Sequence, residues 1–296
     1  MVNLPGETDE LLRPQAVAFD PAAKELVLAE AGHNRILVFD AEGTYRFEFR
    51  GGSRFGAPLD VAIDPLGRIL VLGSTPEGSR LFLFDFDGLF LATVGQPEDL
   101  PAHASSFAVD DEGSIYLLDP DEGVVVVLDA GGRRVRSFPV GVEREPRPSE
   151  VGYGSIERIG DCLYVPITPA ATVEVFSLAG KFLRTVGYGG NNIGELNFPV
   201  AVAGTDEGLL LVLDKHRYAV LCFDREGTFL GEFGGLGSSP GWFYHPTLLA
   251  TDGKEIVYVG QWFEGKVQMC RVPRFIREAN AQAVGIDPDS GYAVRR

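Results

Sequence analysis

Cysteine, histidine and positive charge are all scarce in this chain, and each scarcity closes off a class of reading. Three cysteines in 296 residues make no disulfide framework. Cys162, Cys222 and Cys270 each sit in or beside an apolar run, where a free thiol packs as a small hydrophobe. Lysine and arginine number 26 against 42 Asp and Glu, a formal net charge of −16. Sequence-independent affinity for nucleic acid needs clustered Lys and Arg, so that class of partner is excluded. The same sign disfavours anionic membrane surfaces and is compatible with basic partners or cations. No apolar run approaches the ~18 residues of a membrane span, so insertion is not expected. Met1 to Glu7 holds no basic segment followed by an apolar one, and no signal peptide is legible there. Compartment stays open: cytoplasmic as the chain stands, exported if a leader has been removed. No glycine-rich segment precedes a helical pattern, and no Ser or Cys sits in a nucleophile elbow. Nothing calls for a cofactor.

What the chain has in quantity is one unit, clearest in residues 198–235. Pro199 opens a short apolar run, Val200 to Ala203, which ends at the turn Asp206-Glu207-Gly208. Leu209 to Leu213 follows, then the polar patch Asp214-Lys215-His216-Arg217. Ala219 to Phe223 and Phe229 to Phe233 complete the unit, separated by Asp224-Arg225-Glu226-Gly227. Four apolar runs this short, rich in Val, Leu and Phe and divided by Gly/Asp turns, predict a four-stranded antiparallel meander. The end of the third run recurs at Phe39, Phe84, Leu128, Phe176, Phe223 and Cys270, at spacings of 45, 44, 48, 47 and 47 residues. Proline stands before the first run at Pro14, Pro58, Pro199 and Pro246, where no ladder partner is lost. Six such sheets cannot each bury both faces alone. Stacked radially they make an all-β, six-bladed β-propeller of four-stranded antiparallel blades.

Six units occupy residues 1–273 as one domain and leave 274–296 as a tail. The sixth unit lacks a clear fourth strand, and Val2 to Leu4 are predicted to supply it. The tail holds a short helical stretch over Ile276 to Ala283, expected to cover a face of the disc or to stay disordered.

Several stretches are similar to the NHL repeat. They include Leu12-Arg13-Pro14 through Phe19-Asp20 and Gly32-His33-Asn34-Arg35 through Asp40 and Gly43. The connectors Gly187 to Pro199 and Phe233 to Pro246 resemble that family's linker between repeats. The resemblance spans roughly residues 12–272 and is weakest in the fourth unit. It implies six blades and a ligand-binding module. In repeat alone the chain also resembles the zinc-dependent peptidyl-hydroxyglycine lyases, and a second enzyme class, the calcium-dependent lactonases, uses the same six-bladed scaffold. The lyase histidines directly follow the strand-one proline, whereas here Gln15, Leu59 and Val200 do, and His245 precedes Pro246. Calcium wants six to eight oxygen ligands. Only six asparagines are present, and Asp60 is the one acid at the start of a first strand.

Chain direction fixes where binding residues can gather. The connector before strand one and the turn between strands two and three share one face, called here the loop face. These segments also vary most between units, and loops on a rigid scaffold are the usual seat of binding. Around the sixth blade they bring Trp242, Tyr244, His245, Trp262 and Phe263, a candidate patch because Trp and Tyr favour interfaces. His103 and Tyr153 lie in the connectors of the third and fourth blades, and Asp60 near the axis. Arg35 and Arg217 stand in the turn between strands two and three, where an acid such as Asp214 is the expected partner. Two histidines do not complete a zinc site. The expectation is a non-catalytic scaffold binding a protein or peptide on the loop face, a basic partner being compatible with the net charge. The alternative is a metal-dependent hydrolase or lyase at the pore mouth, built on His103, Asp60 and His245.

Overall fold

In the computed structural model, which describes residues 1–2, 10–141 and 152–284, six antiparallel sheets stand around one axis. The first is β1 (Pro14–Asp20), β2 (Glu25–Glu30), β3 (Arg35–Asp40) and β4 (Tyr45–Arg50). The second is β5 (Pro58–Ile63), β6 (Ile69–Thr75), β7 (Gly78–Phe84) and β8 (Phe90–Val94). The third runs from β9 (Ser106–Val109) through β10 (Ile115–Asp119) and β11 (Val124–Leu128) to β12 (Arg134–Pro139). The fourth comprises β13 (Glu157–Ile159), β14 (Cys162–Ile167), β15 (Thr172–Ser177) and β16 (Phe182–Val186). The fifth is β17 (Pro199–Gly204), β18 (Leu210–Asp214), β19 (Ala219–Phe223) and β20 (Phe229–Gly234). The sixth has β21 (Pro246–Thr251), β22 (Ile256–Gln261) and β23 (Lys266–Arg271) among the described residues.

Inner strands β1, β5, β9, β13, β17 and β21 touch in that order and β21 returns to β1, so the ring is closed. Six hydrophobic clusters fill the six seams. One between the first two blades packs Val27, Val38, Phe55, Val71 and Phe84; its counterpart between the last two packs Leu211, Val220, Phe243 and Val257. The four prolines each begin an inner strand, and each is followed by a register shift that bends the chain into the blade. The fourth blade departs from this pattern. Like the third blade it has no such proline, but here β13 is only three residues long, and Ser155 N–H donates to Val200 O of the next blade at 2.9 Å.

Turns carry a second repeat. The Asp at the end of a strand accepts backbone N–H bonds from residues two and four ahead, as Asp64 does from Leu66 and Arg68, and Asp224 from Glu226 and Thr228. These Asx turns explain much of the acidity as turn chemistry. At the open edge of the sixth blade, Val2 is buried and its N–H donates to Val267 O at 3.2 Å. Asn3 and Leu4 lie outside the described residues. The helix α1 (Arg274–Val284) begins two residues earlier than the sequence pattern suggests. Its Asn280 donates to Glu207 O at 3.2 Å and Arg277 pairs with Glu255 at 2.8 Å, both in turns between the first two strands of the last two blades. Ile276 buries fully in the seam between the last two blades, with α1 lying against outer strand β20.

Candidate functional site

The loop face presents an aromatic group at the sixth blade. His245 meets Tyr244, Phe263 and Tyr218 at ring separations of 4.6, 5.3 and 5.6 Å, and Phe263 meets Trp262 edge-on at 4.8 Å. Phe263 is 63% exposed and Tyr244 43%. Trp242 is also exposed but lies apart, over Gly235 and Gly237. Two of these residues sit on unfavourable backbone. His245 has φ 46° before Pro246, and Tyr218 has φ 57°. Tyr218 precedes strand three, where four of the other five blades place Asn34, Gly123, Ala171 and Gly265 at similar positive φ. Glycine or asparagine is the economical choice there. A tyrosine in that place marks the position, and the signal was present in the repeat alignment.

Beside this group a cavity of about 450 Å³ opens at the axis. The residues that follow the strand-one prolines, Gln15, Leu59, Val200 and Thr247, form part of its wall. Tyr153, Lys215, Trp262 and Phe263 also line it. Tyr153 is held in place by its hydroxyl, which donates to Val140 O at 3.3 Å.

A larger cavity, about 930 Å³, occupies the channel toward the opposite face. Aligning blades by their strand pairing puts Ala18, Ala62, Ala108, Ala203 and Ala250 at one ring position, with Glu157 in the fourth blade. Two residues earlier stand Ala16, Asp60, Ser106, Ala201 and Leu248. Asp60 is buried and accepts N–H bonds from Phe107 and Val61, each at 2.8 Å. Burial outweighs those bonds and pushes its carboxyl up to about 7. Desolvation, reinforced by the charge of Asp60, raises Glu157 to about 8. Water reaches Glu157 along the channel, yet the enclosing protein walls displace most of its hydration and disfavour the charge. Glu157 escaped the sequence reading because the missing proline obscures the repeat frame in that blade.

The remaining candidates are accounted for locally. Arg35, 4% exposed, donates to Glu30 and Glu48 at 2.7 Å each and ties strands β2 to β4 of the first blade. Arg217 binds Glu232 on the outermost strand at 2.9 Å. Its expected partner, Asp214, instead accepts backbone N–H bonds from His216, Arg217, Asn197 and Phe198. His103 pairs with Asp121 at 2.6 Å, and its side chain is 69% exposed. His103, Asp60 and His245 thus occupy three separate surroundings. Among the described residues no three His, Cys, Asp or Glu side chains are grouped to hold a metal ion.

No family model and no curated protein matches the chain. Solved structures do. A structural-genomics protein of unknown function from Bacteroides thetaiotaomicron is 12% identical, covering 90% of this chain and 71% of that one, with a TM-score of 0.71. A catalytically inactive virginiamycin B lyase from Staphylococcus aureus, in complex with quinupristin, is 13% identical over 92% of this chain and 87% of its own, with a TM-score of 0.64. Hydrazine synthase of Kuenenia stuttgartiensis is 14% identical over 88% and 83%, at 0.60. At such identities the likeness establishes the propeller fold and leaves activity open.

Proposed function

We propose that this chain is an NHL-type propeller that binds a protein or peptide partner on its loop face and does no chemistry there. The observation that carries the reading is the group Tyr218, Tyr244, His245, Trp262 and Phe263, partly exposed beside an axial cavity. Large aromatic side chains held at a rim supply contact area at little entropic cost, and such residues dominate binding energy at interfaces. The net charge of −16 favours a partner that is basic around the contact.

The test is a search of random peptides for binders, followed by the double change Trp262→Ala/Phe263→Ala. Loss of about 2–4 kcal/mol of binding is expected, and the single change Phe263→Ala, at an exposed side chain, should keep the melting temperature of the parent. Binders that ignore the change would remove the loop face from the account.

A second reading, a metal-dependent lyase or hydrolase at the pore mouth, is supported by the virginiamycin B lyase likeness. The separation of His103, Asp60 and His245 weighs against the particular site expected for it. Stoichiometric zinc or calcium in the purified protein, lost on changing Asp60 or His245 to alanine, would favour it.

A further inference from the structure

Lys215 and Trp262 hold the same place in consecutive blades. Each follows the last residue of its second strand, Asp214 opposite Pro199 and Gln261 opposite Pro246. In the first two blades that place is taken by Ala31 and Ser74. A cation and an indole therefore stand at neighbouring points of the ring, and both line the loop-face cavity.

Lys215 is half-buried, and its ammonium has neither an ion pair nor a hydrogen bond in the described residues. It is the one charged residue among those lining the cavity. Lys24, Lys181 and Lys254 likewise have no acid partner among the described residues, so what sets Lys215 apart is its place in the cavity wall. Thr247, in the same wall, has a buried hydroxyl oxygen with no hydrogen-bond partner. Buried polar groups normally find partners, which the Thr247 hydroxyl lacks; the Lys215 ammonium beside the same cavity is partly open to solvent, and a ligand that supplies acceptors would serve both. Gln15, Ser105, Ser106 and Ser155 add uncharged polar groups to the wall, and Trp262, Phe263, Tyr153, Leu59 and Val200 form its apolar and aromatic part. The volume lies within the ~300–1,000 Å³ range of small-ligand pockets.

A carboxylate joined directly to an apolar group satisfies both halves of this wall. An internal Asp or Glu brings the carboxylate without the apolar group. The last residue of a chain, when it is Phe, Leu, Ile or Val, brings both from one residue. Resting on the binding reading above, we propose that the cavity receives the carboxy-terminal residue of the partner, its free carboxylate on Lys215 and Thr247 and its apolar side chain against Trp262 and Tyr153.

The experiment uses one set of random peptides tethered by their amino ends, presented once with free carboxy termini and once amidated. The full-length protein, Lys215→Met, Thr247→Val and Phe263→Ala are applied to both, each checked for folding by circular dichroism. The expected binders end in an apolar residue and weaken about 10- to 100-fold on amidation, the range for loss of a charge-assisted bond. Lys215→Met should weaken the free peptides by a similar factor and abolish the difference between the two presentations. Thr247→Val should give a smaller loss in the same direction. Peptides that bind both presentations equally, and are lost with Phe263→Ala, would leave loop-face binding standing and overturn carboxy-terminal capture. Absence of binders, or binders indifferent to all three changes, would overturn both.

Discussion

Glu157 faces the channel at a ring position that five other blades fill with alanine. Its carboxyl and that of Asp60 are raised to about 8 and about 7 from ordinary values of 4.5 and 3.8. Across the window between the ordinary and raised values, the folded protein holds protons that the unfolded chain has released. Stability therefore falls as pH rises through that window, and below it these groups contribute nothing. Glu157→Ala should leave the melting temperature unchanged near pH 4 and raise it by a few degrees near pH 8.5. Parallel melting-temperature profiles for the two proteins between those limits would contradict this. Asp60 was legible in the sequence because a proline marks its strand; Glu157 was not, because its strand lost that marker. Arg35 and Arg217 were legible as loop cations, but their partners, Glu48 and Glu232, lie on outermost strands that only the folded register brings near.

At the scale of elements, the short β13 and helix α1 are the departures from the repeat. Gly154 shows how closely the fourth blade meets the fifth: a Cβ there would lie 2.4 Å from Val200 O. The periodicity of apolar runs revealed strand number and order well, since each strand alternates faces and each turn needs its Asp or Gly. The helix was legible as a helix, and its resting place was not. Nothing local states that Ile276 enters the seam lined by Leu211, Val220 and Phe243. Ile276→Ala should cost about 2–5 kcal/mol, the range for truncating a fully buried aliphatic side chain. Chemical denaturation would measure it; a loss within ~0.5 kcal/mol, typical of surface positions, would mean that the helix is a passive appendage.

For the whole molecule, a closed ring of six blades makes a stiff disc with two unlike ends to its channel. The loop-face end is aromatic with one lysine, and the opposite cavity contains Asp60 and Glu157. Closure joins distant parts of the chain: Val2 reaches Val267, and Gly265 (φ 54°) leaves no space for a Cβ beside Leu11 O, which it would approach to 2.0 Å. The length of the repeat and its six copies made this architecture readable before any coordinates. Binding was less readable, because a patch exists only once separate loops are brought to one rim. Hydrogen exchange with and without a selected peptide tests the central claim most directly. Protection should be confined to the loop face of the last two blades, at residues 215–218, 242–247 and 261–265. Protection centred instead on the opposite turns, such as residues 64–68 or 157–162, would contradict it.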